Sequence, residues 1–478
     1  MGEPVSAPAQ SETGRRGWRS PRGMRSGQWL WLLLGLGTWT MIVAWLLRFS
    51  CHQLGWNGAH TQQLVCYSDI GYLFTTRGMS DGSFAYLSQD PSALLEYPLL
   101  QSLIATATGR AAYGLGEGLP VPTVQNIYFD LNAALLLLVW LAVVVMVAAM
   151  GTSTVHTAAL AVSPAVAATA LINWDLWPVL TSVAALLAFQ RSRWAVGGVL
   201  LGLGTALKLW PFVMLGAVIV LALRRRELRP AVMAVVSAVV AWVVVNVPFA
   251  LWDRQQWSWF WSFSGERGAG FSSIYHVWNV VWAPELGAQP LAAESLNVIA
   301  YGVFALCCAG VLVLGLKARR EPTLAELSLL IVAAFVLTNK VYSPQFVLWL
   351  VPLVILAAPR LREYAVWQVI EVVHWIAVFT WLYSMVTDQP NAEAMGRFYA
   401  AAVVLHILAV VWLCARVVVR LLRGLPVYDP DRIGGSAAET GSSPAILSAD
   451  RSAGSFPARP LIIAGEPDTR AGGAGRHG

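Results

Sequence analysis

Long apolar runs alternate with short polar interruptions along this chain, and most runs are apolar on every face, without the one-sided rhythm of a helix that faces water. Runs long enough to cross a bilayer recur at 29–47, 127–150, 231–251 and 298–316. Further runs fall at 156–172, 176–189, 324–337, 346–358, 364–383 and 398–415. The stretch WAVGGVLLGLGTALKLWPFVMLGAVIVLAL is long for one span and short for two. It reads as a hairpin of two shallow halves meeting near Lys208 and Pro211, each about 14 residues or roughly 21 Å. The pattern predicts an all-α polytopic membrane protein with about twelve transmembrane helices. Residues 99–116, interrupted by Gln101, Thr106, Thr108 and Arg110, read instead as a helix lying at the membrane interface.

Composition agrees: 57% of the 478 residues are hydrophobic and only 12% charged, which excludes a soluble globular chain. The net charge of +6 would suggest a nucleic-acid partner were the basic residues not confined to short clusters between the apolar runs. Those clusters, at 15–25, 191–193, 224–229, 317–320, 360–362 and 416–423, follow the positive-inside rule. No nucleic-acid partner is therefore expected, and the reading is a multi-pass protein of the cell membrane with both termini cytoplasmic. No small-residue cleavage site follows the first run, so it is expected to remain as an uncleaved span. Residues 1–28 form a basic cytoplasmic N-terminus, 29–425 the membrane domain with large outer loops at 51–126 and 252–297, and 426–478 a disordered cytoplasmic tail.

This topology leaves a few charges on the outer side. Asp69 lies in CYSDIGYLFTTRG, flanked by Tyr67, Tyr72 and Phe74 and followed by the interfacial helix; it is either a general base held at the membrane or a solvated loop acid. The chain has three lysines, and two of them, Lys208 and Lys340, fall at the outer ends of apolar runs. Each either snorkels to the interface or receives a lipid phosphate. WDRQQWSWFWSFSGERG, 252–268, is either an aromatic belt or a stacking surface for sugar and polyprenyl carbons, with Arg254 and Arg267 at hand. Asn173 and Asp175 either hold an acceptor sugar or cap the helix that follows. Glu96 orients Asp69 or begins the interfacial helix. Tyr97, His276 and Gln345 are further substrate-binding candidates. Glu371 and His374, three apart on one helix face, read as a structural pair. Cys51 and Cys66 share an outer loop and are either bridged or free thiols.

CYSDI with the RG that follows, EYP at 96–98, NWD at 173–175, GLGTALKLWP, NKVYSPQ at 339–345 and WQVIE at 367–371 occur in order over roughly four fifths of the chain. Together they resemble actinobacterial members of glycosyltransferase family 87, in the GT-C superfamily. The resemblance implies an inverting transferase that takes a sugar, mannose or a relative, from a polyprenyl-phosphate donor to a cell-envelope glycan or glycolipid outside the membrane. It also implies that the acid of the first outer loop, here Asp69, is the base. The loop has SD where many relatives of the superfamily carry two adjacent acids, a departure that leaves a metal role open. No resident cofactor is expected, because the lipid-linked sugar is a substrate.

No Walker phosphate loop, HExxH or zinc-type cysteine spacing competes with this reading. The rival class is a transporter or flippase of lipid-linked sugars, for which a broken-helix hairpin and intramembrane charges would suit. Against it, no two-half repeat is evident, and the polar residues concentrate in long outer loops.

Overall fold

A computed structural model describes residues 19–21, 23–87, 94–387 and 389–428, all within one unit of the chain, 1–434. The tail expected to be disordered lies outside the described residues from 429 onward, as does most of the basic N-terminus. Every regular element among the described residues is helical.

Six helices are long and apolar enough to cross a membrane: Ser26–Leu46, Val121–Ala149, Leu228–Trp252, Ala293–Lys317, Leu361–Thr387 and Ala392–Arg423. Other expected spans are shorter apolar helices of 10–17 residues, among them Leu176–Gln190, Trp194–Leu207 and Leu324–Thr338. The chain is a polytopic membrane protein. The predicted hairpin breaks where expected, Trp194–Leu207 ending at Lys208 and a short turn at Trp210–Val213 leading into Met214–Arg225. A Cβ on Gly202 would stand 2.3 Å from the Ala238 carbonyl oxygen, so only glycine lets Trp194–Leu207 approach Leu228–Trp252 this closely.

The run at 156–172 departs from expectation, forming two pieces, Thr154–Ala161 and Pro164–Thr169. Ser163 and Pro164 cause the break. Proline cannot continue the first helix but suits the first turn of the second, and Ser163 Oγ caps that turn by accepting from Val166 N–H. Ser163 also donates to Gln368 Oε1 at 2.6 Å, tying the break to Leu361–Thr387. Residues 170–175, beyond the broken helix, are where the site is hung.

The basic clusters gather at one end of the bundle. Arg225, Arg360, Arg416 and Arg420 line a single cavity of about 1000 Å³ there. Acids neutralise them in part: Arg320 reaches Glu326 at 2.6 Å and Arg416 reaches Glu363 at 3.0 Å. Glu326 in turn closes a capping box with Thr323 at the start of Leu324–Thr338. From Arg360 to Phe379 the chain climbs roughly 28 Å of helix. The Phe379 ring lies 6.0 Å from that of Tyr67, which puts Asp69 and its neighbours at the opposite end from the arginines.

Candidate active site

Asp69 is fixed by its backbone before its side chain is considered. Cys51 and Cys66 are disulfide-bonded, closing the loop between the end of the first long helix and CYSDI. In the loop-entropy account a closure of 15 residues stabilises by roughly 3 kcal/mol. Ser68 caps the helix Asp69–Thr76 by accepting from Ile70 N–H, and its hydroxyl donates to the Leu171 carbonyl at 2.6 Å. The Asp69 N–H donates to the Ile172 carbonyl at 2.7 Å. The free end of the broken 154–169 segment thus carries the loop.

Two tyrosines hold the half-buried carboxylate. Tyr67 donates to Oδ1 at 2.8 Å and Tyr97 to Oδ2 at 2.7 Å. Burial first, and then the Asp69 charge, raises both phenols well above the ordinary tyrosine range, so both stay protonated and remain donors. Tyr97 connects Asp69 to a second acid. Asn173 Nδ2 reaches the Tyr97 hydroxyl at 3.4 Å, while its Oδ1 accepts the Asp175 N–H at 3.0 Å. Asp175 stands at the head of Leu176–Gln190 without capping it. Its carboxylate instead pairs with Lys208 Nζ at 2.5 Å and accepts from Trp349 Nε1 at 3.2 Å. Burial pushes the Asp175 carboxyl up, and Lys208 pulls it back. The rings of Tyr97, Phe346 and Trp349 surround the ammonium at 5.1, 5.3 and 5.7 Å. Lys208 is committed to Asp175.

A second arm brings cations from the far half of the chain. Gly270 N–H donates to the Lys340 carbonyl at 2.8 Å and Ser272 N–H to the Tyr342 carbonyl at 3.0 Å. A Cβ on Gly270 would stand 2.6 Å from Tyr342 O, so this pairing of loops requires glycine. Lys340 Nζ donates to the Gly265 carbonyl at 2.8 Å. Burial and, after it, the Arg267 charge hold Lys340 below the ordinary lysine range. Arg267 is exposed, and its charge acts on both Lys340 and Tyr67. Arg254 is different. It begins the helix Arg254–Glu266 that ends just before Arg267, which sets the two roughly 20 Å apart.

The other candidates are distributed as follows. Glu96 is ion-paired with Arg77. His276 packs against Phe271, Trp381 and Tyr399, with Nδ1 3.2 Å from the Ala269 carbonyl and its imidazole held below the ordinary range by burial. Gln345 is buried in the turn Pro344–Phe346. Sequence reasoning passed over Tyr67 as a ligand of Asp69, although it sits in the same quoted stretch, and Trp349, which no polar pattern marks. It also passed over Arg48, wholly buried at the end of the first span, where it donates to the Ala168 carbonyl at 2.6 Å and lies over the Trp375 ring at 5.6 Å. The expected end of an apolar run hid that role.

The chain's match to known families can be set on this geometry. The model of glycosyltransferase family 87 matches residues 115–338. The match covers just under half of the chain, which there is similar to glycosyltransferases of family 87. The family 87 match contains Asn173, Asp175, Lys208, Arg254, Arg267 and His276, and it ends just before Lys340. Asp69, Glu96 and Tyr97 precede it and are joined to it through the Tyr97–Asn173 contact. No curated protein matches the chain.

Proposed function

We propose that this protein is a membrane glycosyltransferase that uses Asp69 as the base of an inverting transfer from a polyprenyl-phosphate sugar, mannose for preference, to a cell-envelope glycan or glycolipid on the extracytoplasmic side. The single observation that carries the reading is the Asp69 carboxylate. Each of its oxygens is aimed by a neutral tyrosine hydroxyl, the residue is only half-buried, and the Arg267 charge acts on one of those tyrosines.

The acceptor hydroxyl oxygen attacks the anomeric carbon while Asp69 takes its proton, and the bond from that carbon to the phosphate oxygen breaks with its electron pair leaving on the phosphate. A phosphate leaves without needing a proton, so one base suffices and no general acid is required. That agrees with Asp175 being spent on Lys208. Of the cations weighed for the phosphate, Lys208 is paired with Asp175, while Arg267 acts electrostatically on both Tyr67 and Lys340, so Arg267 and Lys340 are the pair assigned to the charge that develops on the leaving group. Asn173 and Tyr97 line the acceptor side. The short apolar helices complete about twelve spans, with the arginine-lined end cytoplasmic.

The test is transfer of radiolabelled mannose from polyprenyl-phosphate mannose to membrane glycans, comparing wild type with Asp69→Asn at equal protein level. Transfer by wild type and none by the variant supports the reading. Equal transfer removes Asp69 from the base role, and no transfer by wild type removes this donor.

A further inference from the structure

In the middle of the bundle, between Leu361–Thr387 and Ala392–Arg423, Glu371, His374 and His406 meet. Their exposures are 3%, 1% and 0%. Ionisable groups at that depth are costly, and three together need a reason. Trp367 Nε1 donates to Glu371 Oε1 at 2.7 Å, and His406 Nδ1 lies 3.2 Å from the same oxygen. Oε2 lies 3.1 Å from His406 Nδ1 and 3.7 Å from His374 Nδ1. The two rings are stacked, with centroids 3.9 Å apart and planes within 4°. Among the described residues, neither nitrogen of His374 has a hydrogen-bond partner, nor does His406 Nε2. The Tyr342 hydroxyl is likewise unpartnered, and its ring lies 4.7 Å from that of His406. Buried polar atoms are nearly always paired, so four such atoms around one carboxylate point to a ligand.

We infer that Glu371, His374 and His406 form a site for a divalent first-row transition-metal ion, with zinc the best fit. One donor atom of each residue lies within 4.8 Å of the others. A tetrahedral ion with bonds of about 2.0–2.1 Å spaces its ligands about 3.3 Å apart, and the two separations from Oε2 fall on either side of that value. Two imidazoles and one carboxylate select zinc or iron and not magnesium or calcium, which take oxygen donors. Trp367 supplies the outer hydrogen bond that orients the ligating carboxylate.

The stack defines what binding must change. Lone pairs in two parallel ring planes cannot meet at one ion, so His374 turns about its χ2 and its nitrogen moves toward Oε2. The bound ion fastens the last two long helices together under Tyr342, whose backbone carbonyl holds the Ser272 loop beside the Lys340 arm. This site stands independently of the proposed sugar chemistry.

The experiment uses the full chain, purified in detergent through a histidine-free tag. Metal is counted by mass spectrometry after gel filtration in metal-free buffer, and chelator-treated protein is titrated with Co²⁺. The expected result is about one zinc per chain and the visible d–d bands of tetrahedral cobalt. Both should fall at least tenfold, an order-of-magnitude expectation, in Glu371→Gln and His374→Gln and persist in His60→Gln. Wild type that holds no stoichiometric metal and gives no cobalt bands overturns the inference in favour of a carboxylate and imidazoles sharing a proton. Retention by a monodisperse His374→Gln overturns it as well. Should the variants aggregate, the wild-type cobalt spectrum alone decides.

Discussion

Asp69 and Asp175 stand at two ends of one hydrogen-bonded chain through Tyr97 and Asn173, yet they are held in opposite ways. Both oxygens of Asp69 meet neutral phenols, whereas those of Asp175 meet an ammonium and an indole N–H. Neutral donors aim a carboxylate without cancelling its charge, which leaves it able to accept a proton. An ammonium at 2.5 Å cancels the charge and commits the group to structure. One residue type therefore serves two ends, and its partners decide which.

The largest effect should come from the first end. Asp69→Asn keeps the shape and the hydrogen-bonding oxygen but removes the base, and a general base is worth about 10²–10⁴ in rate. We expect kcat for sugar transfer to fall by that factor with thermal stability unchanged. A variant within about tenfold of wild type, alongside an inactive but folded Asp175→Asn, would exchange the two roles.

Asp175→Asn should act on the fold instead. It leaves the half-buried Lys208 among three aromatic rings without its counter-charge, a loss of up to about 3–5 kcal/mol, the range for a broken buried pair. Thermal unfolding in detergent should show it, and the double variant Asp175→Asn, Lys208→Met should recover most of the loss. Failure of the double variant to recover would mean that the pair is not the coupled unit its geometry implies.

The cationic arm should respond in donor affinity. Arg267→Ala and Lys340→Met each remove a charged hydrogen bond worth about 1.5–3 kcal/mol, so the donor KM should rise about 10- to 100-fold while Arg254→Ala, roughly 20 Å away, changes little. The pH dependence has a definite sign. Only the protonated lysine binds phosphate, and burial with Arg267 holds the Lys340 pKa below the ordinary lysine value. The donor KM should therefore climb with rising pH earlier than an ordinary lysine allows, and Lys340→Arg should flatten the climb. A KM insensitive to both substitutions places the phosphate elsewhere.

The helical class and the break at Lys208 were legible in the chain, because burying charge in lipid is so costly that exceptions mark themselves. Which charges are free was not legible. Lys208 and Lys340 look alike in ALKLWP and TNKVYSPQ, and only the fold reveals that one faces Asp175 and the other a backbone carbonyl. The break at Ser163 was missed because an apolar run reads as continuous however it bends. Glu371 and His374 could be paired by their spacing of three, but His406 lies 32 positions further on, and no local pattern links it to them.

The smallest effects separate the two tyrosines. A neutral hydrogen bond contributes about 1 kcal/mol, which corresponds to roughly fivefold in kcat/KM for Tyr97→Phe. Tyr67→Phe should cost less, because Tyr67 is only half-buried, whereas Tyr97 is 8% exposed. Tyr97→Phe also cuts the contact with Asn173, which Tyr67→Phe leaves intact. A loss in kcat/KM larger for Tyr67→Phe than for Tyr97→Phe would mean that the link to Asp175 contributes nothing to how Asp69 is held.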